Sequence, residues 1–171
     1  MRMSVVLLTA FLLLAPSSVK AAVMEPLTLD ELVSRSDRVI LGDVVSSKAE
    51  MDQDLGRIST IHRVAVRETW KGAPAAEVEV VTMGGETSEL GQLVPGEARL
   101  SPGDRVVLFL RAVSCGYVVT GMALGAFHLD PGTGNLERDL QGIHFLREPL
   151  DAAPSRLDMD GLRRRVRGEA P

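Results

Sequence analysis

The feature that most constrains this chain is a strict alternation over residues 57–70. Ile58, Thr60, His62, Val64, Val66, Glu68 and Trp70 occupy every second position, and Arg57, Ser59, Ile61, Arg63, Ala65, Arg67 and Thr69 stand between them. Successive side chains of a strand point to opposite faces, so this period predicts a long half-exposed strand. One face meets a core, and the other carries three arginines into solvent.

Other segments repeat the signal. Residues 38–45 form a short, β-branched apolar run, which predicts a strand buried on both faces with Gly42 at a bend or bulge. After the turn 71–74, residues 77–83 alternate again and stop at Gly84 and Gly85. Residues 86–103 are rich in Gly, Pro and Glu and read as a long excursion with one short strand near 92–94. Val106 to Leu110 is a continuous apolar run, the expected central buried strand. Two more strands are expected at 115–124 and 126–130, with a turn at 131–135, and a weak one at 143–146.

Helices are expected only at the ends. Thr28 and Glu31 have capping-box spacing, which predicts a short helix over 29–35 with Leu29, Leu32 and Val33 on one face. Near the C-terminus Met159, Leu162 and Val166 share a helical face, while Arg163, Arg164, Arg165 and Arg167 project elsewhere. The expected fold is therefore mainly β: a five- to six-stranded OB-like Greek-key barrel with a short N-terminal and a short C-terminal helix.

The opening residues read as an address. Arg2, the apolar run 5–15 and the break at Pro16 have the layout of a cleavable secretory signal peptide over 1–21, with Ala22 first in the mature chain. That run is shorter than the roughly 20 residues a membrane span needs. The expected organisation is a signal peptide at 1–21, a barrel domain at 22–155 and a basic helix or tail at 156–171. The expected location is the periplasm or the medium, with no transmembrane segment after cleavage. Cys115 is the only cysteine, so no internal disulfide forms, and a buried, inert thiol is the ordinary expectation for it. A formal charge of −4 makes the chain a poor match for nucleic acid.

Four motifs in chain order carry a resemblance: residues 36–44, the strand end 66–72, the strand end 82–85, and residues 102–110. In these the chain resembles the netrin-like, or tissue-inhibitor-of-metalloproteinases-like, group of OB-fold barrels, and more closely small bacterial secreted proteins of unknown function. The resemblance implies a five-stranded Greek-key barrel that binds through strands and loops. Those inhibitors chelate a protease zinc with a disulfide-held N-terminal cysteine. Ala22 stands there in this chain, so the resemblance does not carry that mechanism.

Chemical motifs are sparse. No G-x-S-x-G elbow accompanies His62, His128 or His144, and His62 falls on an apolar strand face, where a hydrogen-bonded core histidine is the ordinary reading. Glu50, Asp52 and Asp54 alternate before Gly56, but a calcium loop counted from Glu50 would place Ile61 where a bidentate acid is required. They read as a solvated hairpin loop. Gly84, Gly85 and Glu86 lie in no phosphate-binding fingerprint. The arginines at 163–167 are expected to dock on the acidic barrel, stay solvated or meet an anionic surface.

No catalytic set, cofactor or metal site is expected. The leading expectation is a monomeric, non-enzymatic exported binding module that meets a protein or envelope partner through loops or a strand edge. Residues Glu50, Asp52, Asp54, Gly84, Gly85 and Glu86 are candidate contacts, and Arg163, Arg164, Arg165 and Arg167 a candidate basic patch. The alternatives are a protease-inhibitor-like protein using loops 49–56 and 84–103, and a small secreted enzyme using His62 or Cys115.

Overall fold

The computed structural model describes residues 22–52, 56–146 and 154–169. The expected signal peptide and Asp54 lie outside the described residues. In chain order the elements are β1 (Ala22–Met24), α1 (Leu29–Arg35), β2 (Arg38–Asp52), β3 (Arg57–Lys71), β4 (Glu77–Met83), β5 (Gly85–Glu86), β6 (Gly91–Gln92), β7 (Arg105–Val113), β8 (Gly116–Val119), a 3-10 turn (Met122–Gly125), β9 (Ala126–Leu129), β10 (Asn135–Glu137), β11 (Ile143–Phe145), β12 (Arg156–Asp158) and α2 (Met159–Arg167).

Five strands form a ring. β2 pairs antiparallel with β3, β3 with β4, β2 with β7, and β7 with β8. A short parallel pairing of β4 with β8, Val80 beside Tyr117 and Val81 beside Val118, closes it. Numbered by chain order within the ring, the strands run 1-2-3-5-4 and return to 1. The expected mainly-β, OB-like barrel with a short helix at each end is the architecture found. From β7 the sheet also continues outward through β9, β10 and β12.

The ring strands β2 and β7 are apolar on both faces because each separates two cores. Ile40, Val44, Val106, Leu108 and Leu110 face the barrel interior with Val64, Val78, Val80 and Val119. Val39, Leu41, Val107 and Phe109 face the other way, against Leu32 of α1, Phe127, Leu136, and Leu162 and Val166 of α2. The two runs that lacked alternation in the sequence are thus the walls between the layers. Gly42 sits where the β2–β3 register shifts, and a Cβ there would lie 2.7 Å from the Ala65 carbonyl oxygen. The backbones approach too closely for any side chain.

The capping box forms as expected. Glu31 N donates to Thr28 Oγ1 at 3.2 Å, and Thr28 N donates to Glu31 Oε2 at 2.9 Å. Two of the three outward arginines of β3 also find cross-strand acids: Arg63 meets Glu77 at 2.7 Å and Arg67 meets Asp43 at 2.5 Å.

Several expectations need correction. Glu50 and Asp52 are not in a loop, because β2 runs on to Asp52 and stays paired with β3 down to Arg57. The apolar run ends at Val45, but the alternating partner strand carries the polar extension along with it. The excursion expected over 86–103 with one short strand holds β6 at Gly91–Gln92, paired with β5 in a small hairpin, and its Ala98 and Leu100 enter the barrel core. Cys115 is exposed in the tight turn between β7 and β8, not buried. The second half of the strand expected over 115–124 is a 3-10 turn, and the weak strand expected at 143–146 is β11, paired in parallel with β1, a strand that was not expected.

The C-terminal segment packs on the sheet: β12 pairs with β10, and Leu162 and Val166 are buried. No helix among the described residues is long and apolar enough to cross a membrane.

Candidate functional site

At one end of the barrel the interior changes from aliphatic to polar. On β3, Val64 gives way to His62 and Thr60 along the same inward face, and on β4 Val80 gives way to Thr82. The cross-strand registers place Ser47 of β2 beside His62, and His62 beside Val80. These side chains floor a groove of about 690 Å³ whose other wall is the returning excursion from Gly91 to Ser101.

His62 is the centre of the floor and only 3% exposed. Its Nδ1 lies 2.7 Å from Ser47 Oγ and its Nε2 lies 2.9 Å from Thr82 Oγ1. A neutral imidazole has one donor and one acceptor nitrogen, so one hydroxyl gives its hydrogen to the ring and the other receives one. Burial lowers the His62 pKa to about 4, which keeps the ring neutral over the ordinary pH range. Ser47, in contrast, is exposed at the groove's edge. The arrangement is a chain of three uncharged polar groups running from solvent to the buried floor.

The surrounding wall has the same electrostatic character. Burial pushes the Glu97 carboxyl above its ordinary value, opposed by its acceptance of hydrogen bonds from Met83 N at 3.0 Å and Ala98 N at 2.9 Å. Both ionisable groups are thus pushed towards their neutral forms. Thr60 Oγ1 donates to the Gly84 carbonyl at 2.7 Å, which fixes the strand end over the floor. Gln92 Oε1 accepts from Ile58 N at 2.6 Å and ties the excursion to β3. Met83 and Leu93, 40% and 78% exposed, line the groove as well and add two apolar side chains beside the polar floor.

Of the candidate contacts, Gly84, Gly85 and Glu86 line the groove. Glu50 does not; it projects outward and pairs with Lys48 at 2.6 Å. The basic patch lies elsewhere and is largely consumed within the fold. Arg163 holds Glu68 and lies over Trp70, with its guanidinium carbon 5.5 Å from the ring centroid. Arg165 pairs with Asp30 at 3.0 Å and Arg167 approaches Glu68 at 3.8 Å, whereas Arg164 is exposed. His128 stands beside Asp104, 3.6 Å away, and His144 is exposed. Among the described residues no group of three or more His, Cys, Asp or Glu side chains is placed to hold a metal.

Sequence reasoning reached His62 but missed Ser47, Thr82 and Glu97. The signal for Thr82 was present: a hydroxyl at a core-facing position of an alternating strand must find a partner. Ser47 and Glu97 lie beyond the apolar runs and carry no such mark. In comparisons with known proteins, the chain matches no family model and no curated sequence.

Proposed function

We propose that this chain is an exported, non-enzymatic binding module that holds a segment of a protein partner in the groove at the barrel mouth, with uncharged side chains facing the groove floor. The observation that carries the reading is the Ser47–His62–Thr82 chain on the floor of a groove that Met83 and Leu93 also line. Such a site offers hydroxyl and imidazole groups for orientation and Met83 and Leu93 for burial, the usual division of labour in a binding pocket. It penalises a charged ligand group as it penalises the charged forms of His62 and Glu97. The signal-peptide pattern of residues 1–21 supports export, and the ring order supports the netrin-like resemblance without supplying a partner.

The test is a random peptide display selection on the immobilised chain starting at Ala22, followed by affinity measurement on Thr82→Val and Leu93→Glu. Peptides bound by the native groove and released by both changes support the reading. Retention of nothing, or indifference to both changes, overturns it.

A second reading, a small hydrolase, has one observation in its favour: the exposed Ser47 hydroxyl touches a histidine nitrogen at 2.7 Å. Against it, the other ring nitrogen faces a threonine where an orienting carboxylate normally stands, and a ring of pKa about 4 is a weak base. Labelling of the chain by a fluorophosphonate, lost in Ser47→Ala, would establish this reading.

A further inference from the structure

The groove is bordered by an uncovered strand edge. β7 covers the outer edge of β2 only from Arg38 to Asp43. The last backbone bonds on that side run from Val44 N to the Asp104 carbonyl, 2.9 Å, and from Gly103 N to the Val44 carbonyl, 2.8 Å. The β2–β3 register then shifts between Val44 and Ser46, and β2 leaves the barrel wall. From Ser46 to Met51 the strand remains paired with β3, and among the described residues no backbone group bonds to its other edge. Ser47 and Ala49 line the groove from this edge, and Arg99, Leu100 and Ser101 line it from the facing wall.

We infer that Ser46–Met51 is a docking edge, to which an extended peptide segment of the partner adds as a further strand, dropping alternate side chains into the groove. This deepens the binding reading above and rests on it. An uncovered edge is a row of amide and carbonyl groups that a second chain satisfies at once, and affinity then comes from main-chain bonds while pockets select side chains.

The chemistry of the segment follows from the two faces of β2. Ser47, Ala49 and Met51 share the inner face with their cross-strand neighbours His62, Thr60 and Ile58. Inward side chains of the guest therefore meet hydroxyls, a neutral imidazole and aliphatic carbon, and small uncharged residues such as Ser, Thr, Ala or Val fit. The shifts of His62 and Glu97 towards neutrality work in the same direction. On the outer face Lys48 and Glu50 stand two residues apart with opposite charge. Outward guest residues of alternating sign complement them, a like-charged pair being disfavoured directly across a strand.

The test uses the peptide best retained in the display selection, resynthesised with a single N-methyl group at each backbone amide in turn. N-methylation deletes one main-chain donor and leaves the side chains intact. Strand addition predicts losses of about tenfold in affinity at every second amide, with tolerance between them, since one hydrogen bond is worth about a factor of ten. Amide exchange on the full chain should slow at Ser46–Met51 when that peptide is bound. A peptide that still depends on Thr82 but tolerates every N-methyl group overturns strand addition and leaves the groove reading intact. If no peptide is retained, both fall. If the chain instead forms a dimer that Lys48→Glu dissociates, the edge belongs to a second copy and the proposal is wrong.

Discussion

The Arg163 guanidinium donates to both carboxylate oxygens of Glu68, at 3.0 Å each, while lying across the indole of Trp70. The same carboxylate accepts from Trp70 Nε1 at 3.1 Å, so strand β3 and helix α2 are joined by one closed set of polar and stacking contacts. Arg163→Ala is expected to cost about 1–2 kcal/mol in thermal unfolding, since a charge-assisted bond and a partly exposed cation–π contact are both lost. A loss below a few tenths would show the pairing to be incidental.

Removal of residues 156–171 tests whether the tail is separable. Leu162 and Val166 are buried beside Phe109, Phe127 and Leu136, and β12 is hydrogen-bonded to β10. Leu162→Ala alone is expected to cost about 2–5 kcal/mol, and the truncated chain should lose its cooperative unfolding transition by circular dichroism. A truncated form that melts cooperatively near the full chain would show the tail to be an appendage.

His62 sets a pH dependence whose sign follows from burial. The folded ring takes a proton only near pH 4, whereas the unfolded ring, at its ordinary value of 6.5, takes one earlier. The stability held by a neutral His62 is therefore full above 6.5 and is lost as the pH falls towards 4. The lost amount is about 3 kcal/mol, from the proton linkage between the two states. Glu97 acts in the opposite sense, its pKa being raised, so it weakens the fold as the pH rises above 4.5. The stability difference between native protein and His62→Gln, measured by denaturant titration across this window, isolates the histidine. A difference that does not change with pH would mean that the ring titrates alike in the folded and unfolded chain.

Gly85 takes φ +134°, and a Cβ there would lie 2.2 Å from Thr60 Oγ1. Gly85→Ala combines a disfavoured backbone with a clash against a hydroxyl already bonded to the Gly84 carbonyl. The expected cost is about 1–3 kcal/mol by thermal melt, with weakened binding of any peptide held in the groove.

Cys115 offers a direct check on the turn between β7 and β8. An exposed thiol should react completely with a small disulfide reagent in native buffer, with the melting temperature unchanged. Reaction only after denaturant is added would bury the residue after all.

Much of the fold was legible because strand period is a local property. The alternation of 57–70 and 77–83 and the solid apolar runs at 38–45 and 106–110 each announce which faces are covered. The polar half of β2 was not legible: Ala49 and Met51 alternate with Lys48, Glu50 and Asp52, but two apolar residues beside an acidic run are too little to read as a strand without β3 paired to them. β1 failed for the same reason, its partner Ile143–Phe145 lying far along the chain. The site was legible only at His62. A histidine amid valines stands out, but Ser47 reaches it across a bulge and Glu97 from an excursion, and neither relation has a spacing to read.

The ring closes through β8, whose parallel partner β4 precedes it by more than thirty residues of chain. No part of the barrel interior is sealed before Val118 has been made and has found Val81. Such non-local pairing places folding in the slow regime, roughly milliseconds to seconds. Until Val118 arrives, β4 and β7 each keep an uncovered edge, so the barrel closes as one late event rather than strand by strand.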